Sequence, residues 1–179
     1  AFKDSLPEST RLYNYSDQFI MGSGYTYSFT NYNPLFKQRN THSLRASVEL
    51  AGNMLYGLSK LTKARKDENG IYNLFGINYA QFVKADFDFS KSIVLDERNS
   101  IAYRIGAGVG FPYGNAEMLP FERRYFSGGA NSVRGWSVRR LGPGSMAVTD
   151  STSFFNQSGD VRLDLSVEYR SKLFWKFEM

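Results

Sequence analysis

The chain has 179 residues, and its 22 lysines and arginines outnumber its 17 aspartates and glutamates to give a formal net charge of +5. It contains no cysteine, which excludes disulfide bonds and thiolate metal sites within these residues. No apolar run reaches the roughly 20 residues of a transmembrane helix, while aromatic residues make up 16% of the chain, a composition that favours strands with an aromatic surface over a leucine-rich soluble core.

Alternation of apolar and polar residues with period two dominates the sequence and predicts β-strands. In chain order the strands are expected at about 19–31, 43–54, 75–89, 101–111 and 160–170, and the tail from Leu173 could start another. Barrel strands that cross a membrane need only about 9–11 residues each. The lengths of these runs therefore permit a membrane barrel.

Each run divides into an apolar and a polar phase. The residues predicted to share the outward face are Phe75, Ile77, Val83, Phe87, Ile105, Val109, Leu163 and Val167. Arg104 and Glu168 fall in the opposite phase. A soluble sandwich also alternates in this way. The aromatic residues towards the strand ends favour instead a lipid-facing band with aromatic girdles and a polar lumen.

The predicted connections alternate in length along the chain. Those at about 33–40 and 90–100 are short, whereas 55–73 and 112–159 are long. Outer-membrane barrels have short periplasmic turns and longer outside loops, so the long connections are predicted to lie outside the cell. We expect residues 1–179 to form one barrel domain without periplasmic repeats. The polar start at Ala1, without a start methionine, indicates a piece of a longer protein.

The second long connection contains an ordered motif of aromatic residues, glycines and one arginine. It runs through Tyr125, Phe126, Gly128, Gly129, Ser132, Val133, Arg134, Gly135 and Trp136, and Gly142-Pro143-Gly144 follows shortly. This order resembles the conserved loop of the BamA/TamA-type outer-membrane insertases and translocases, in which a Val-Arg-Gly-aromatic tip folds back into the barrel. Together with the alternation, the resemblance implies an all-β fold: an antiparallel transmembrane β-barrel, present as a partial barrel of about five to six meander strands.

The resemblance implies a role for Arg134 in particular. In the family this arginine points into the lumen and pairs with acidic residues on the following strands. Glu168 is the matching carboxylate, and the alternation places it in the lumen-facing phase without reference to the family. A guanidinium meets a carboxylate through two parallel hydrogen bonds, so the pair would lock the loop. The alternative is an exposed loop arginine.

Other residues of the motif have roles in the backbone and in packing. Gly128, Gly129 and Gly135 are predicted to allow positive φ and a close approach to the barrel wall, although a plain flexible turn would have the same composition. Trp136, with Tyr125 and Phe126, is expected to pack the loop within the lumen, and the alternative is a belt at the membrane interface.

The implied function is assembly or translocation at the bacterial outer membrane, by insertion of β-barrel proteins or movement of polypeptides across it. The implied partners are outer-membrane lipids, client barrels or secreted polypeptides, and subunits of an assembly complex; no enzymatic activity, cofactor, metal or nucleic acid is expected. Trp136 stands where the family usually has Phe or Tyr, and the acidic partner expected on the strand after Leu173 is missing through truncation. General insertase, translocation-module relative and secretion exporter therefore stay open. A passive channel, or a barrel that anchors a fused enzyme domain, is the alternative.

The remaining candidate sites carry weaker signals. The basic cluster of Lys60, Lys63, Arg65 and Lys66 is typical of a solvated loop, with contact to lipid phosphates as the alternative. The glycines at 106, 108 and 110 lie inside a strand and open no helix, so they do not form a dinucleotide loop; they are expected to leave room for the inserted loop. Asp86 and Asp88 are expected to line the polar face, and His42, the only histidine, has no second histidine with which to form a metal site.

Overall fold

The computed structural model describes residues 18–36, 38–62, 66, 70–74, 76–130, 132–141, 157–174 and 177–178. The strands are β1 (Gln18–Phe19), β2 (Gly22–Thr30), β3 (Asn40–Ala51), β4 (Asn73–Leu74), β5 (Ile77–Tyr79), β6 (Phe82–Val94), β7 (Asn99–Pro112), β8 (Val161–Phe174) and β9 (Phe177–Glu178). An α-helix, α1, spans Asn53–Leu61, and a 3-10 turn spans Phe121–Arg123.

The long strands form one antiparallel meander. The six-stranded sheet has the order β2-β3-β6-β7-β8-β9, and a small sheet of order β1-β5-β4 accompanies it. Apart from the excursion between β3 and β6, neighbours in the large sheet follow each other along the chain, as the alternation predicts. The mostly-β, antiparallel architecture confirms the predicted fold class and is consistent with a partial β-barrel.

Two elements between β3 and β6 differ from the prediction. The 55–73 connection, expected as a loop, contains most of α1, and residues 63–65 and 67–69 lie outside the described part. The predicted strand at 75–89 is divided, because β5 ends at Tyr79 in the small sheet and β6 begins at Phe82 in the large one. Phe75 lies outside the described residues. In the described part of the chain, every helix is too short or too polar to span a bilayer.

The chain divides into two compact units, and the long strands contribute residues to both. Unit 1 comprises Ala1–Gly24, Glu49–Lys84 and Val109–Arg162; unit 2 comprises Tyr25–Val48, Ala85–Gly108 and Leu163–Met179. The long connections belong to unit 1, and the short ones to unit 2. That the long connections lie outside the cell stays a prediction.

Unit 1 has a small apolar core and a buried amide network beside it. Ala51, Ala80, Phe82 and Leu119 form the core, and Ile20 packs against it. The Asn115 side chain accepts from the Tyr72 backbone N–H at 2.7 Å and donates to the Tyr72 carbonyl at 2.9 Å. Gln81 Oε1 accepts from the Asn115 N–H, and Gln81 Nε2 donates to Asn53 Oδ1, both at 3.0 Å. Because buried polar groups must be paired, this network holds the ends of β3, β6 and β7 in one arrangement.

Side-chain contacts in unit 2 follow the predicted polar and apolar phases of the strands. On the polar phase, Arg104 Nη2 donates to Asp88 Oδ1 at 2.8 Å, and the hydroxyls of Ser43 and Ser90 are 2.7 Å apart. On the apolar phase, the rings of Phe89 and Tyr103 lie 6.1 Å apart between the same strands. Four other apolar-phase side chains are exposed: Phe87, Ile105, Leu163 and Val167. Alternate residues of β6 and β7 thus point to opposite faces, as the sequence predicts.

Candidate functional site

The segment between β7 and β8, described at its start over residues 113–130 and 132–141, folds against the polar phase of the strands in unit 1. Its Leu119 is fully buried. Gly110, on the polar phase of β7, has no side chain, and a Cβ there would lie 2.6 Å from Leu119 Cδ1. A side chain at 110 would therefore displace Leu119. Gly110 leaves room for the returning segment, which is the role expected of the strand glycines.

An ion pair joins the same segment to β3. The Nη1 atom of Arg123, in the 3-10 turn, lies 3.2 Å from Glu49 Oε1. Glu49 belongs to the polar phase of β3. Both side chains remain partly exposed, at 42% and 27%, so solvent screens the pair and its contribution to stability is about 0–1 kcal/mol. This contact orients the segment more than it stabilises it.

Tyr125 is the buried aromatic anchor of the segment. It is 6% exposed, and the Lys84 ammonium lies 4.3 Å above its ring centroid, with the Arg162 guanidinium at 5.5 Å. Lys84 and Arg162 occupy the polar phases of β6 and β8. Tyr125 also exchanges two backbone hydrogen bonds of 2.8 Å with Gly159. The ring is thus recognised by cations from two strands, an interaction of about 0.5–2 kcal/mol each.

Arg139 is an anchor that sequence reasoning missed. Its guanidinium lies 3.9 Å from the ring centroid of Phe121 and 4.8 Å from that of Phe126. Its backbone has φ 60, in the left-handed region that residues other than glycine rarely adopt, and its N–H donates to the Ser127 carbonyl at 3.1 Å. In the sequence, Arg139 is one of several arginines in a glycine-rich loop with aromatic residues before it. This pattern does not predict which rings the guanidinium contacts.

The glycines of the motif close it into a compact turn. Gly128 and Gly129 have φ of 98 and 89. A Cβ on Gly128 would lie 2.3 Å from the Ser137 carbonyl oxygen, so this position requires both the conformation and the size of glycine. The Gly129 N–H donates to the Trp136 carbonyl at 2.8 Å. The predicted positive φ is confirmed at these two glycines.

Gly135 differs from its prediction. Its φ is outside the left-handed region, and a Cβ built on it would have open space around it. It lies in the exposed turn 133–136, which the hydrogen bond from the Trp136 N–H to the Val133 carbonyl closes at 3.1 Å. The backbone at 135 is set by this turn, which side-chain-bearing residues also adopt. The expectation that Gly135 supplies positive φ and close approach is wrong.

The tip of the motif faces outward in unit 1. Ser132 is half-buried, and its N–H donates to the Gly129 carbonyl at 3.2 Å. Val133, Arg134 and Trp136 are exposed. Of the three aromatic residues expected to pack the loop, Tyr125 is buried, while Phe126 and Trp136 are 41% and 51% exposed. The segment Gly142-Pro143-Gly144 lies outside the described residues.

Glu168 belongs to unit 2, on the polar phase of β8. Its carboxylate accepts two hydrogen bonds from the Arg170 guanidinium of the same strand, at 2.9 and 3.0 Å. Glu168 therefore presents the bidentate carboxylate geometry that an arginine recognises. Because Arg134 belongs to unit 1, the pairing of Arg134 with Glu168 stays a prediction.

Metal chemistry has no candidate centre in the described ranges. Among those residues, no three His, Cys, Asp or Glu side chains come together as metal ligands. Asp88, one of the two carboxylates singled out in the sequence, is paired with Arg104. In its described part, the segment makes the contacts of a structural anchor: an ion pair, cations over aromatic rings, and glycine-dependent packing.

Comparison with known proteins places the chain in a family. The Omp85 superfamily domain matches residues 4–178, and no curated protein matches the chain. Members of this superfamily are non-enzymatic outer-membrane proteins of Gram-negative bacteria that act in protein assembly or translocation, together with membrane lipids and partner complexes. Because the match extends over almost the whole length and the meander sheet agrees with it, the chain belongs to the Omp85 superfamily.

Proposed function

We propose that this chain is the barrel part of an outer-membrane factor of the BamA/TamA type, which helps to insert β-barrel proteins or moves polypeptides across the outer membrane. The observation that carries the proposal is the anchoring of the β7–β8 segment to polar-phase residues of the strands in unit 1. Leu119 against Gly110, Arg123 with Glu49, and Tyr125 beneath Lys84 each make such a contact.

This anchoring favours a polypeptide-handling factor over a passive channel. In a closed barrel the polar phase lines the lumen, so a segment held on that phase occupies the space through which a solute would pass. A porin needs that space to be open and filled with water. The contacts of Leu119 and Tyr125 are buried, so removing the segment from the polar phase would expose both side chains.

The work of such a factor requires hydrogen bonds and no covalent chemistry. A client strand that enters hydrocarbon with unpaired backbone N–H and C=O groups pays several kcal/mol for each of them. A partner strand edge that pairs with those groups removes this cost, as in β-strand addition. We infer that the barrel lowers the barrier to client insertion in this way, and that outer-membrane lipids, client polypeptides and assembly-complex subunits are its partners.

In the working protein, Arg134 is proposed to meet the Glu168 carboxylate and latch the motif. The support for this role is the motif and the place of Glu168 on the polar phase of β8. Both Glu168 oxygens accept from the Arg170 guanidinium, so Arg134, which is exposed in unit 1, would have to share or displace that contact. A lysine would supply the charge without the planar fork.

The proposal is tested with the full-length protein in lipid vesicles to which an unfolded client barrel is added. The rate at which the client acquires its heat-resistant, compact electrophoretic form is measured against empty vesicles. A rate increase supports assembly activity. An unchanged client rate, together with steady single-channel conductance and solute selectivity, would support a passive channel instead.

A further inference from the structure

Helix α1 exposes an apolar stripe that nothing in unit 1 covers among the described residues. Met54, Leu58 and Leu61 are 74%, 56% and 84% exposed. Their spacing of i, i+4 and i+7 places them on one side of the helix. We call these three residues the exposed stripe. An apolar stripe of this width on a helix in water is normally buried.

Another side of α1 attaches the helix to unit 1. Leu55 and Ser59 are buried, and the Tyr79 hydroxyl lies 3.5 Å from Ser59 Oγ. The helix starts after Gly52, which has a φ of 77 and where a Cβ would lie 2.3 Å from the Ala80 carbonyl oxygen, so both its conformation and the space around it require glycine. At the other end, Thr62 Oγ1 donates to the Leu58 carbonyl at 2.9 Å. The orientation of α1 is therefore set by unit 1, and the exposed stripe is held outward.

Basic residues lie beside the exposed stripe along the chain. Residues 53–66 of the sequence contain the basic residues Lys60, Lys63, Arg65 and Lys66 and no acidic residue before Asp67 and Glu68. In the described part, Lys60 lies in the last turn of α1 and is exposed. The exposed Lys66 has its ammonium 4.9 Å from the ring centroid of Tyr72. An apolar stripe beside basic residues is the pattern of a helix that lies in a membrane interface.

The position of α1 in the chain brings it to such an interface. The helix begins two residues after β3, whose end carries the exposed apolar residue Leu50 in unit 1. In a superfamily of outer-membrane barrels, the exposed apolar phase of a strand faces lipid. A helix that directly continues such a strand is carried to the level of the headgroups.

We propose that α1 is an interfacial anchor: the exposed stripe inserts at the boundary of the acyl chains, and Lys60 and Lys66 contact lipid phosphate groups. The occupant is a phospholipid with an anionic headgroup. The anchor fixes the level of unit 1 relative to the bilayer. The inference does not depend on client assembly, because its readout is the depth of the helix.

The test uses the full-length protein in vesicles, with single cysteines introduced at Met54→Cys, Leu58→Cys and Leu61→Cys and spin-labelled. The 179 residues contain no cysteine of their own. Lys60→Cys, on another side of the same helix, is the matched control. Accessibility to oxygen, which concentrates in lipid, is compared with accessibility to a water-soluble nickel chelate.

The three stripe positions are expected to show a several-fold higher oxygen-to-nickel ratio than Lys60→Cys. Equal ratios at all four positions would overturn the anchor. Shielding of the stripe from both reagents would overturn it too, and would assign the stripe to a protein partner. Retention of the heat-resistant electrophoretic form shows that each labelled variant is folded.

The phosphate contact is tested by changing the lipid and the lysines. Replacing part of the phosphatidylcholine by phosphatidylglycerol is expected to raise the oxygen-to-nickel ratio at Leu58→Cys. The double substitution of Lys60→Gln and Lys66→Gln is expected to abolish that rise. Equal depth in both lipids with the lysines present would overturn the contact with anionic headgroups.

Discussion

Gly128 and Gly135 occupy one motif but differ in what a side chain would meet. At Gly128, with φ 98, a Cβ would lie 2.3 Å from the Ser137 carbonyl oxygen, whereas at Gly135 it would meet open space. Gly128→Ala should therefore strain the turn at a cost of about 1–3 kcal/mol, and should raise the rate at which an added protease cuts the loop. Gly135→Ala is the matched control and should leave the rate unchanged. Equal effects of the two substitutions would contradict the turn described here.

For single residues of the motif, the sequence predicts backbone conformation better than side-chain contacts. The pattern Gly128-Gly129 predicted positive φ correctly, because two successive glycines in a turn rarely serve another purpose. Arg139 was not predicted, because its contacts with Phe121 and Phe126 exist only after the segment has folded back. The error at Gly135 has a related cause: composition shows where glycine is present, not where the backbone requires it.

The turn between β6 and β7 depends on the carboxylate of Asp96. Hydrogen bonds from the Asn99 side chain and from the Arg98 and Asn99 backbone N–H groups lower the pKa of Asp96 below its ordinary value of 3.8. Because the folded pKa is depressed, the stabilisation is complete above pH 3.8 and is lost as the pH falls through the folded pKa. Asn99 Oδ1 also accepts from the Tyr169 and Ser171 hydroxyls, which links the turn to β8.

We predict that Asp96→Ala exposes the amides of Arg98 and Asn99 to faster hydrogen exchange at neutral pH, since their acceptor is gone. Glu97→Ala, which removes the neighbouring exposed carboxylate, is the control and should leave both amides protected. In the unmodified protein, the chemical shifts of the same amides should titrate with a midpoint below 3.8. A midpoint above that value would show that these hydrogen bonds do not form in solution.

Strands in the large sheet were predictable from alternation, but the elements between β3 and β6 were not. Apolar residues occupy one phase from Ile77 to Phe87, broken only by Gln81, although β5 and β6 belong to different sheets. The two strands divide at Gln81, whose side chain turns into the buried network with Asn53 and Asn115. Such a network depends on distant residues. Helix α1 was missed because it is only nine residues long, although Met54, Leu58 and Leu61 follow the spacing of one helix side.

For the whole molecule, an arginine introduced on the apolar phase should destabilise the protein more than one introduced on the polar phase. Val167 is 79% exposed on the apolar phase of β8, and its neighbour Ser166 shares the polar phase with Glu168. In lipid vesicles, Val167→Arg should destabilise the full-length protein by up to about 2–4 kcal/mol near the bilayer centre and by less near the interface. Ser166→Arg is the control and should cost less. The measurement is the denaturant midpoint of the heat-resistant form, and equal costs would contradict a lipid-facing apolar phase.

The function proposed for the whole molecule depends on the β7–β8 motif being held in place. Removing one partner of a dry buried ion pair costs about 3–5 kcal/mol. Arg134→Ala should destabilise the folded-back motif by less than that, because water screens charges in a lumen. Arg134→Lys should restore the function only in part, since the bidentate geometry is lost. Arg98→Ala, which removes an exposed arginine at a short connection, is the control.

The most direct test measures client-barrel levels and protease cleavage of the β7–β8 loop together, in cells whose only copy of the full-length protein carries one of these substitutions. We predict that Arg134→Ala lowers client levels and increases loop cleavage while the strand content is unchanged, that Arg134→Lys is intermediate, and that Arg98→Ala matches the unmodified protein. Wild-type client levels and cleavage with Arg134→Ala would contradict the latch. The motif would then act through its backbone and aromatic residues alone.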